Sequence, residues 1–292
     1  MNSEFELIDL FNQIGSKYYK ENGVIVPPGD DCAVFESKKK IVTSVDASVE
    51  GIHFLKNTAP EDIAYRSIAI AISDIAAMGC NPLAFSLSVT SPSQDREWFE
   101  DFARGTHQIS NQFEFPLIGG DLTRGPLNVN VIVYGSPFKE NILRRDGAMP
   151  GDYICISKEV GRGARGLKDL KNNILDSPYI KDYLRPIPKI ELGKKISDLA
   201  NACIDTSDGL LVDMQKMLKA SGCGGEIYLD DIPVISDIND VNRGDDYDLC
   251  FTIPSNKFYD DFIKIGVVSE SREIKLISNK GYDIEIKGYE HF

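Results

Sequence analysis

The stretch IAIAISDIAAMG, residues 68–79, decides how the first half of the chain folds. Its apolar residues surround the helix axis on nearly every side, so we predict a buried helix rather than a surface helix. The helix is predicted to begin at Pro60, a residue type favoured at the first helical position, and to end near Met78, before Gly79. One acidic residue, Asp74, lies inside this apolar stretch.

Asp74 is informative because of these surroundings. An unpartnered buried carboxylate costs several kcal/mol or takes up a proton, so Asp74 needs a partner. Arg66, a basic residue of the same helix, lies about two helical turns away. A metal ion is one natural partner, and a salt bridge or a helix-cap contact from elsewhere in the fold is the alternative.

The elements on both sides of this helix mix strands with helices and show no regular strand–helix–strand alternation. Upstream, a helix is predicted over residues 3–14 and a strand over 41–45, ending at Asp46. Downstream, we predict strands at 83–90, 116–118, 127–134, 153–157, 226–229, 249–253 and within 274–288, and helices at 98–113, 189–202 and 205–218. This order favours an α+β fold with mixed or antiparallel sheets over a doubly wound sheet.

The pattern breaks near residues 137–150, where proline and glycine separate the two halves. A chain of 292 residues is long enough for two domains, at roughly 100–200 residues each. We therefore predict one domain over residues 1–137 and a second over 138–292.

The composition excludes several classes of partner. The net charge of −13 repels nucleic acid and anionic membranes, and it also repels phosphorylated substrates unless metal cations compensate. No apolar run reaches the ~18 residues of a membrane helix, and the N-terminus lacks the features of a signal peptide. The six cysteines form no C-x-x-C pair and are predicted to be buried, reduced thiols. We expect a soluble, cytoplasmic protein.

Carboxylates at predicted turns and element ends are the main candidates for chemistry. A single aspartate at such a place is usually a cap or a turn former, but neighbouring glycines let a ligand approach closely. The candidates are Asp30 and Asp31 after Gly29, Asp46, Asp121 after Gly119 and Gly120, Asp205 and Asp208, and Asp245 and Asp246 after Gly244. Two such charges 4 Å apart repel by about 4 kcal/mol, so a cluster would need bound cations. Ligation by oxygen alone suits Mg²⁺, which typically works with nucleotide phosphates.

Familiar nucleotide motifs fit less well. Residues 161–166 read GRGARG and match G-x-G-x-x-G after a predicted strand, but they lie in mid-chain and Pro178 cuts short the following helix. The same stretch is not a Walker A loop, because Leu167 stands where lysine is required. The three histidines have no metal-binding spacing, and no G-x-S-x-G motif is present.

Together, eight segments resemble thiamine-monophosphate kinase, of the aminoimidazole ribonucleotide (AIR) synthetase-like superfamily. They are PPGDDCAVF (27–35), SVDASVEGIHF (44–54), AISDIAAMGCNPLA (71–84), LIGGDLTRGP (117–126), LRRDGAMPGD (143–152), IDTSDGLLVDM (204–214), GDDYDLCFTIP (244–254) and the terminal GYEHF. They occur in the family's order and span almost the whole chain. The segment containing His53 and the aromatic-acidic-HF tail are the more specific markers.

This resemblance implies a two-domain AIR synthetase-like fold and transfer of the γ-phosphoryl group of ATP to thiamine monophosphate, with Mg²⁺. The N-terminal domain would carry the metal and ATP site and the homodimer contact, and the C-terminal domain would complete the ATP and substrate site. By motif, the metal ligands would be Asp30, Ser44, Val45, Asp46, Asp74, Asp121, Asp205 and Asp208, with Asp30, Asp74 and Asp205 the catalytic ones. The ATP contacts would be Gly120, Asp121, Arg145 and Ser207, and the thiamine contacts would be His53, Asp245 and Tyr289.

Three features depart from the family pattern. Asp245 stands where glutamate is usual and is one methylene shorter, and Tyr289 stands where tryptophan is common. Arg162 and Arg165 replace an acidic and a small residue, and they would be either phosphate contacts or solvated charges.

Two other functions remain open at this stage. One is a sibling enzyme of the AIR or selenophosphate synthetase type, although residues 1–28 lack the cysteine that a selenophosphate synthetase would carry. The other is a non-catalytic protein that binds Mg²⁺ or a nucleotide.

Overall fold

A computed structural model describes residues 4–29 and 32–291 of the chain. The chain forms two compact units, of which the first contains Met1–Ile75 with Asn81–Pro137 and the second contains Ala76–Cys80 with Phe138–Phe292. Each unit combines one larger sheet with helices.

The first unit is built on a four-stranded sheet with the strand order β3–β6–β4–β5. Strands β3 and β6 are antiparallel, whereas β4 and β5 are parallel. A separate pair, β1–β2, is antiparallel. The elements up to Pro137 are α1 (Glu4–Ile8), β1 (Val24–Val26), β2 (Val34–Phe35), β3 (Val42–Val49), α2 (Pro60–Ala77), β4 (Cys80–Ser91), α3 (Arg96–Phe113), β5 (Leu117–Arg124) and β6 (Asn128–Pro137).

Helix α2 confirms the prediction made from the apolar stretch. It begins at Pro60, with two acidic residues in its first turn, where they complement the helix dipole. Ile68, Ile72 and Ile75 are fully buried. Gly79 has φ +64°, a left-handed conformation that glycine adopts without strain, so the helix gives way directly to β4.

The second unit is built on a six-stranded sheet with the order β12–β9–β11–β7–β10–β8. Among the strand pairs of this sheet in the described residues, β12 and β9 are parallel and the other pairs are antiparallel. Its elements are β7 (Tyr153–Ile156), α4 (Arg162–Lys171), α5 (Tyr179–Leu184), α6 (Ile190–Ile196), β8 (Ala202–Asp205), α7 (Leu210–Ala220), β9 (Gly224–Tyr228), β10 (Leu249–Ile253), β11 (Ile263–Ser269) and β12 (Ile274–Ile277). Leu211, Met214 and Leu218 of α7 belong to the same buried cluster as residues of β7, β8 and β10. These mixed sheets with helices confirm the predicted fold class.

Several predicted boundaries were wrong, and the errors fall on candidate site residues. Asp46 lies inside β3 and does not end it, because the strand continues to Val49. Gly119–Asp121 also lie inside a strand, β5. Asp205 ends β8 instead of opening a helix. The helices predicted at 3–14 and 189–202 are shorter, since regular helix is confined to Glu4–Ile8 and Ile190–Ile196.

The cysteine prediction was correct for four of the six residues. Cys80, Cys155, Cys203 and Cys250 are buried, whereas Cys223 is partly buried and Cys32 is exposed. All six are free thiols. Within residues 4–29 and 32–291, none of the helices has the length and the apolar character needed to span a membrane.

Gly120 allows β5 to approach β4 closely, and this can be tested against its neighbour. A Cβ atom at Gly120 would lie 2.1 Å from the carbonyl oxygen of Leu87, whereas one at Gly119 would meet only the Ser86 hydroxyl at 3.8 Å. We expect Gly120→Ala to lower the free energy of unfolding by about 1–3 kcal/mol, because the strands must separate. Gly119→Ala is the matched control, with an expected change of about 0.5 kcal/mol or less. Equal losses in urea unfolding would contradict this account.

Candidate functional site

The first group of candidate residues lies where β3 faces α2. Alternation along the strand places Ser44 and Asp46 on one face, and this face meets Asp74 of α2. The Ser44 hydroxyl donates a hydrogen bond to Oδ2 of Asp74. The structure therefore brings together three of the predicted metal ligands, and it gives Asp74 a partner from another element.

The Asp46 carboxyl group is disfavoured in its ionised form. Burial, and after it the negative charge of Asp74, raises the pKa of Asp46 from 3.8 to about 6. Two neighbouring carboxylates beside a hydroxyl oxygen match the hard oxygen donors that Mg²⁺ prefers. The donor set therefore fits a divalent cation in its chemistry.

The remaining N-terminal metal candidates are placed differently. Val45 directs its side chain to the opposite face of β3, where it is 64% exposed, so only its main chain could act as a ligand. Asp121 is exposed on β5, at the other edge of the sheet from β3. Three strand spacings, about 14 Å, separate the two edge strands, so Asp121 and Asp46 of one chain do not meet at one ion. Asp30 lies outside the described residues.

A pocket of about 450 Å³ opens beside Asp121. Its walls are mostly apolar, with polar groups concentrated at Asp9, Asn12 and the backbone of Gly119–Gly120. The Asp121 carboxylate accepts a hydrogen bond from the Thr123 hydroxyl at 2.8 Å. A largely apolar pocket with a few polar groups in its walls is typical of sites for small organic ligands.

The turn after β3 holds His53 in a defined tautomer. The backbone N–H of Val49 donates to Nδ1 of His53 at 3.0 Å, so Nδ1 is unprotonated and Nε2 carries the hydrogen. Nε of the buried Arg66 donates to the His53 carbonyl oxygen at 3.1 Å. Arg66 therefore fixes the turn that carries His53, and the spacing along α2 alone did not indicate this role.

The loop after β8 carries the C-terminal metal candidates. Asp205 is buried at the end of the strand, and Asp208 lies three residues further on. Oδ2 of Asp208 receives Nζ of Lys216 at 2.6 Å. A cation bound at Asp208 would therefore compete with a lysine of the same unit.

Asp213 holds this loop, and sequence reasoning missed it. Its Oδ2 accepts the backbone N–H groups of Asp208 at 2.9 Å and Gly209 at 3.1 Å, and its Oδ1 accepts Lys216 Nζ at 2.8 Å. Burial raises the pKa of Asp213, and the hydrogen bond from Lys216 opposes that shift. An acidic residue within the apolar run LLVDM was the available signal, of the same kind as at Asp74.

The loop at residues 244–248 pairs with the loop after β8. Asp245 N–H donates to the Ser207 carbonyl at 2.9 Å, and Tyr247 N–H donates to the Thr206 carbonyl at 2.9 Å. Asp245 and Tyr247 have φ of +72° and +46°, in the left-handed region. The structure thus places Asp245, predicted to contact the thiamine substrate, beside Ser207, predicted to contact the nucleotide.

The C-terminal segment lies on the same loop. The N–H of Tyr289 donates to the Asp208 carbonyl at 3.0 Å, and its ring packs edge-on against His291. Upstream, the side-chain amide of Asn242 donates to the Glu285 carbonyl at 2.7 Å and accepts from Lys287 N–H at 3.2 Å. Asn242 therefore fixes the segment that presents Tyr289, which is 49% exposed.

Arg145 lies beside β8. The preceding carbonyl, of Arg144, accepts the Cys203 N–H at 3.0 Å, and the Arg145 carbonyl accepts the Ser221 hydroxyl at 2.9 Å. These bonds fix the backbone and leave the Arg145 side chain exposed.

The glycine-rich stretch 161–166 and its two arginines have structural partners. The N–H groups of Gly161 and Gly163 donate to the Asp246 carboxylate at 2.7 and 3.2 Å, so they are already occupied by an internal anion. Arg162 pairs with Asp182 at 2.9 Å, and Arg165 pairs with Asp169 at 2.8 Å. Both guanidinium groups also lie over the ring of Tyr179, so they tie α4 to α5.

No three His, Cys, Asp or Glu side chains converge as a metal site anywhere in the described part of the chain. In the first unit Ser44, Asp46 and Asp74 form one group, from which Asp121 stands apart, and in the second unit Asp205 and Asp208 lie at the end of β8 and in the loop after it.

Comparison with known proteins identifies the class. Residues 29–136 match the family model described as AIR synthase related protein, N-terminal domain, and residues 150–280 match its C-terminal domain counterpart. The chain is thus a two-domain protein of the AIR synthase-related class.

Individual relatives are more specific. A thiamine-monophosphate kinase of Buchnera aphidicola from Schizaphis graminum is 38% identical, over 94% of this chain and 88% of that relative. The crystal structure of thiamine-monophosphate kinase from Stenotrophomonas maltophilia has a TM-score of 0.84 at 28% identity, covering 94% of this chain and 96% of that one. The structure of AaThiL complexed with AMPPCP and TMP has a TM-score of 0.81 at 29% identity, covering 100% and 99%. The chain belongs to the thiamine-monophosphate kinase family, which confirms the resemblance seen in the sequence.

The carboxylate pair predicts a pH dependence of stability in metal-free buffer. Because the pKa of Asp46 is raised to about 6 in the folded state, its contribution is fully present below about pH 4 and is lost as the pH rises through 6. We expect Asp46→Asn to remove up to about 3 kcal/mol of this decline, as measured by urea unfolding in EDTA from pH 4 to 7. Asp101→Asn on the surface of α3 is the control, and a variant slope equal to that of the wild type would contradict the pairing.

Proposed function

We propose that this protein transfers the γ-phosphoryl group of ATP to the phosphate of thiamine monophosphate, giving thiamine diphosphate and ADP. The observation that carries the proposal is the complex of AaThiL with AMPPCP, an ATP analogue, and TMP, because this chain matches that structure over its whole length. A sibling synthetase or a non-catalytic regulator is not favoured, since relatives that are 36–38% identical to this chain are named thiamine-monophosphate kinases.

The nucleotide is assigned to residues that the family motifs select. In the N-terminal unit these are Gly120 and Asp121, and the apolar pocket beside them supports binding of a nucleoside. In the C-terminal unit they are Arg145, whose charge suits a phosphate, and Ser207.

Mg²⁺ is part of the proposal. Its proposed ligands are the oxygens of Asp30, Ser44, Val45 (main chain), Asp46, Asp74, Asp121, Asp205 and Asp208. When bound, Mg²⁺ would neutralise charge on the transferring phosphoryl group. The raised pKa of Asp46 supports this assignment most directly, because burial and the charge of Asp74 both disfavour the ionised carboxyl group.

The acceptor is assigned to His53, Asp245 and Tyr289. The hydrogen bond from the Val49 N–H to Nδ1 fixes the imidazole ring of His53, which would contact the thiamine end. The half-exposed ring of Tyr289 offers an aromatic surface for the thiamine rings, although a smaller one than tryptophan. Asp245 would hold the thiamine end by charge or hydrogen bonding.

Positioning and electrostatics account for the proposed reaction. The attacking atom is an oxygen of the thiamine monophosphate, which is already anionic near neutral pH, so no strong general base is needed. In-line transfer then depends on holding the two phosphates in register and on compensating their charge. Asp30, Asp74 and Asp205 are the catalytic residues in this scheme because they would fix the compensating cations.

A homodimer formed through the N-terminal domains completes the proposal. The open face of β3 exposes Thr43, Val45 and Ala47 in mid-strand, where a covering partner would bury them. Asp46 and Asp121 lie on opposite edges of one sheet, and in a dimer Asp121 of a second copy would be able to approach Asp46 of the first. We further propose that the enzyme is cytoplasmic and binds neither nucleic acid nor membranes, in keeping with its net charge of −13.

The first test is product formation by the purified protein. With ATP, Mg²⁺ and thiamine monophosphate, we expect ADP and thiamine diphosphate in equal amounts by chromatography. Free thiamine and a reaction without acceptor are the controls, and neither should release ADP. ADP release that does not depend on the acceptor, or none at all, would refute the proposed function.

A second prediction concerns Asp74. We expect Asp74→Asn to lower kcat by about a hundredfold or more, because one charge of the cation site is lost. The fold should persist, since an asparagine oxygen can still accept the Ser44 hydroxyl and the repulsion from Asp46 is removed. Asp101→Asn on α3 is the matched control for kcat and thermal stability. Near-normal activity of the Asp74 variant would exclude this residue from the site.

A further inference from the structure

The loop at residues 244–248 has a conformation that its own sequence does not favour. Asp245 and Tyr247 both have positive φ, which residues other than glycine rarely adopt. Between them, Asp246 is partly buried and directs its carboxylate away from the loop, to the start of α4. The loop therefore needs contacts outside itself to hold this shape.

One set of contacts is the backbone pairing with residues 206 and 207, and the Asp246 carboxylate is the other. Oδ2 accepts the N–H of Gly161 at 2.7 Å, and Oδ1 accepts the N–H of Gly163 at 3.2 Å. These N–H groups lie at the N-terminus of α4, where an anion is favoured. Burial raises the pKa of Asp246 to about 6, and the N–H groups of Gly161 and Gly163 and the charge of Lys158 oppose that rise.

The glycines bring the helix and the loop into direct contact. A Cβ atom at Gly163 would lie 2.0 Å from the Asp245 carbonyl oxygen and 2.9 Å from the Asp245 Cβ. One at Gly161 would lie 2.5 Å from Cγ of Asp240. The backbone of Asp245 therefore rests against Gly163, and any side chain there would push it away.

From this geometry we propose that Asp246 is a positioning residue that, together with Gly161 and Gly163, sets the orientation of Asp245 for recognition of thiamine monophosphate. The glycine-rich stretch then serves an internal carboxylate in place of a nucleotide phosphate. This inference rests on the proposed function, and it adds a determinant of acceptor affinity that does not itself touch the acceptor.

The test compares Asp246→Asn with Asp169→Asn. Asparagine keeps the shape of Asp246 but cannot accept both N–H groups, because one of its two terminal atoms is a donor. Asp169 is a buried acid within α4, the helix whose N-terminus the Asp246 carboxylate contacts. Its hydrogen bonds are to Arg165 and Ser177 and not to the 244–248 loop. The Asp169 variant therefore controls for the loss of a buried carboxylate that contacts α4.

We expect Asp246→Asn to raise the KM for thiamine monophosphate about tenfold or more, with the KM for ATP changed by less than about twofold. Asp169→Asn should leave both KM values near those of the wild type. A merely structural role for Asp246 would raise both KM values or lower kcat in step with lost folded protein. Such a result, or no change at all, would overturn the inference.

Gly163→Ala tests the same contact from the other side, with Asp246 intact, and it serves if the Asp246 variant does not fold. This variant should also bind thiamine monophosphate more weakly, with its affinity for ATP unchanged. Calorimetric titration of each variant with thiamine monophosphate alone separates this inference from the proposed function. If the wild type binds the compound but transfers no phosphoryl group, the proposed function fails, and selective loss of binding in the two variants still supports the role of Asp246. Equal binding by wild type and variants refutes that role.

Discussion

The close approach of two carboxylates, those of Asp46 and Asp74, is the constraint on which the N-terminal site depends. Asp46 and Asp74 are held close together by strand β3, which is paired with β6, and by helix α2, whose apolar residues are buried. The fold therefore keeps two carboxylates in a place where ionisation of one disfavours ionisation of the other. Such an arrangement would favour a bound cation over the cation-free protein, in keeping with the proposed handling of phosphates by a chain with a net charge of −13.

In the C-terminal unit, aspartates act in a different way, as internal acceptors for backbone N–H groups. Asp213 holds the loop after β8, Asp246 holds the start of α4, and Asp240 accepts the N–H groups of Ser236 and Asp237. Each replaces water at backbone groups that would otherwise be unpaired where helices begin. The loops that carry Asp208 and Asp245 are thereby fixed without regular secondary structure.

Much of the fold could be predicted from patterns of apolar residues and glycines. Helix α2 is one such case, because Pro60, an unbroken apolar stretch and Gly79 all indicate the same boundaries. The errors at Asp46 and Asp121 share one cause. An acidic residue or a pair of glycines usually marks the end of a strand, but here Asp46 faces another carboxylate inside a sheet and Gly120 lets two strands approach closely. Both requirements come from a neighbouring element, which local sequence does not describe.

The sequence by itself determined the family, the candidate carboxylates and the nature of the chemistry, because those depend on residue types in a fixed order along the chain. Only the tertiary structure decided which candidates meet. It placed Ser44 and Asp46 against Asp74, gave Asp208 a lysine partner, and filled the glycine-rich stretch at 161–163 with the carboxylate of Asp246. These outcomes depend on distances between residues far apart in the sequence, and such distances are set by packing of the sheets and helices rather than by any local pattern.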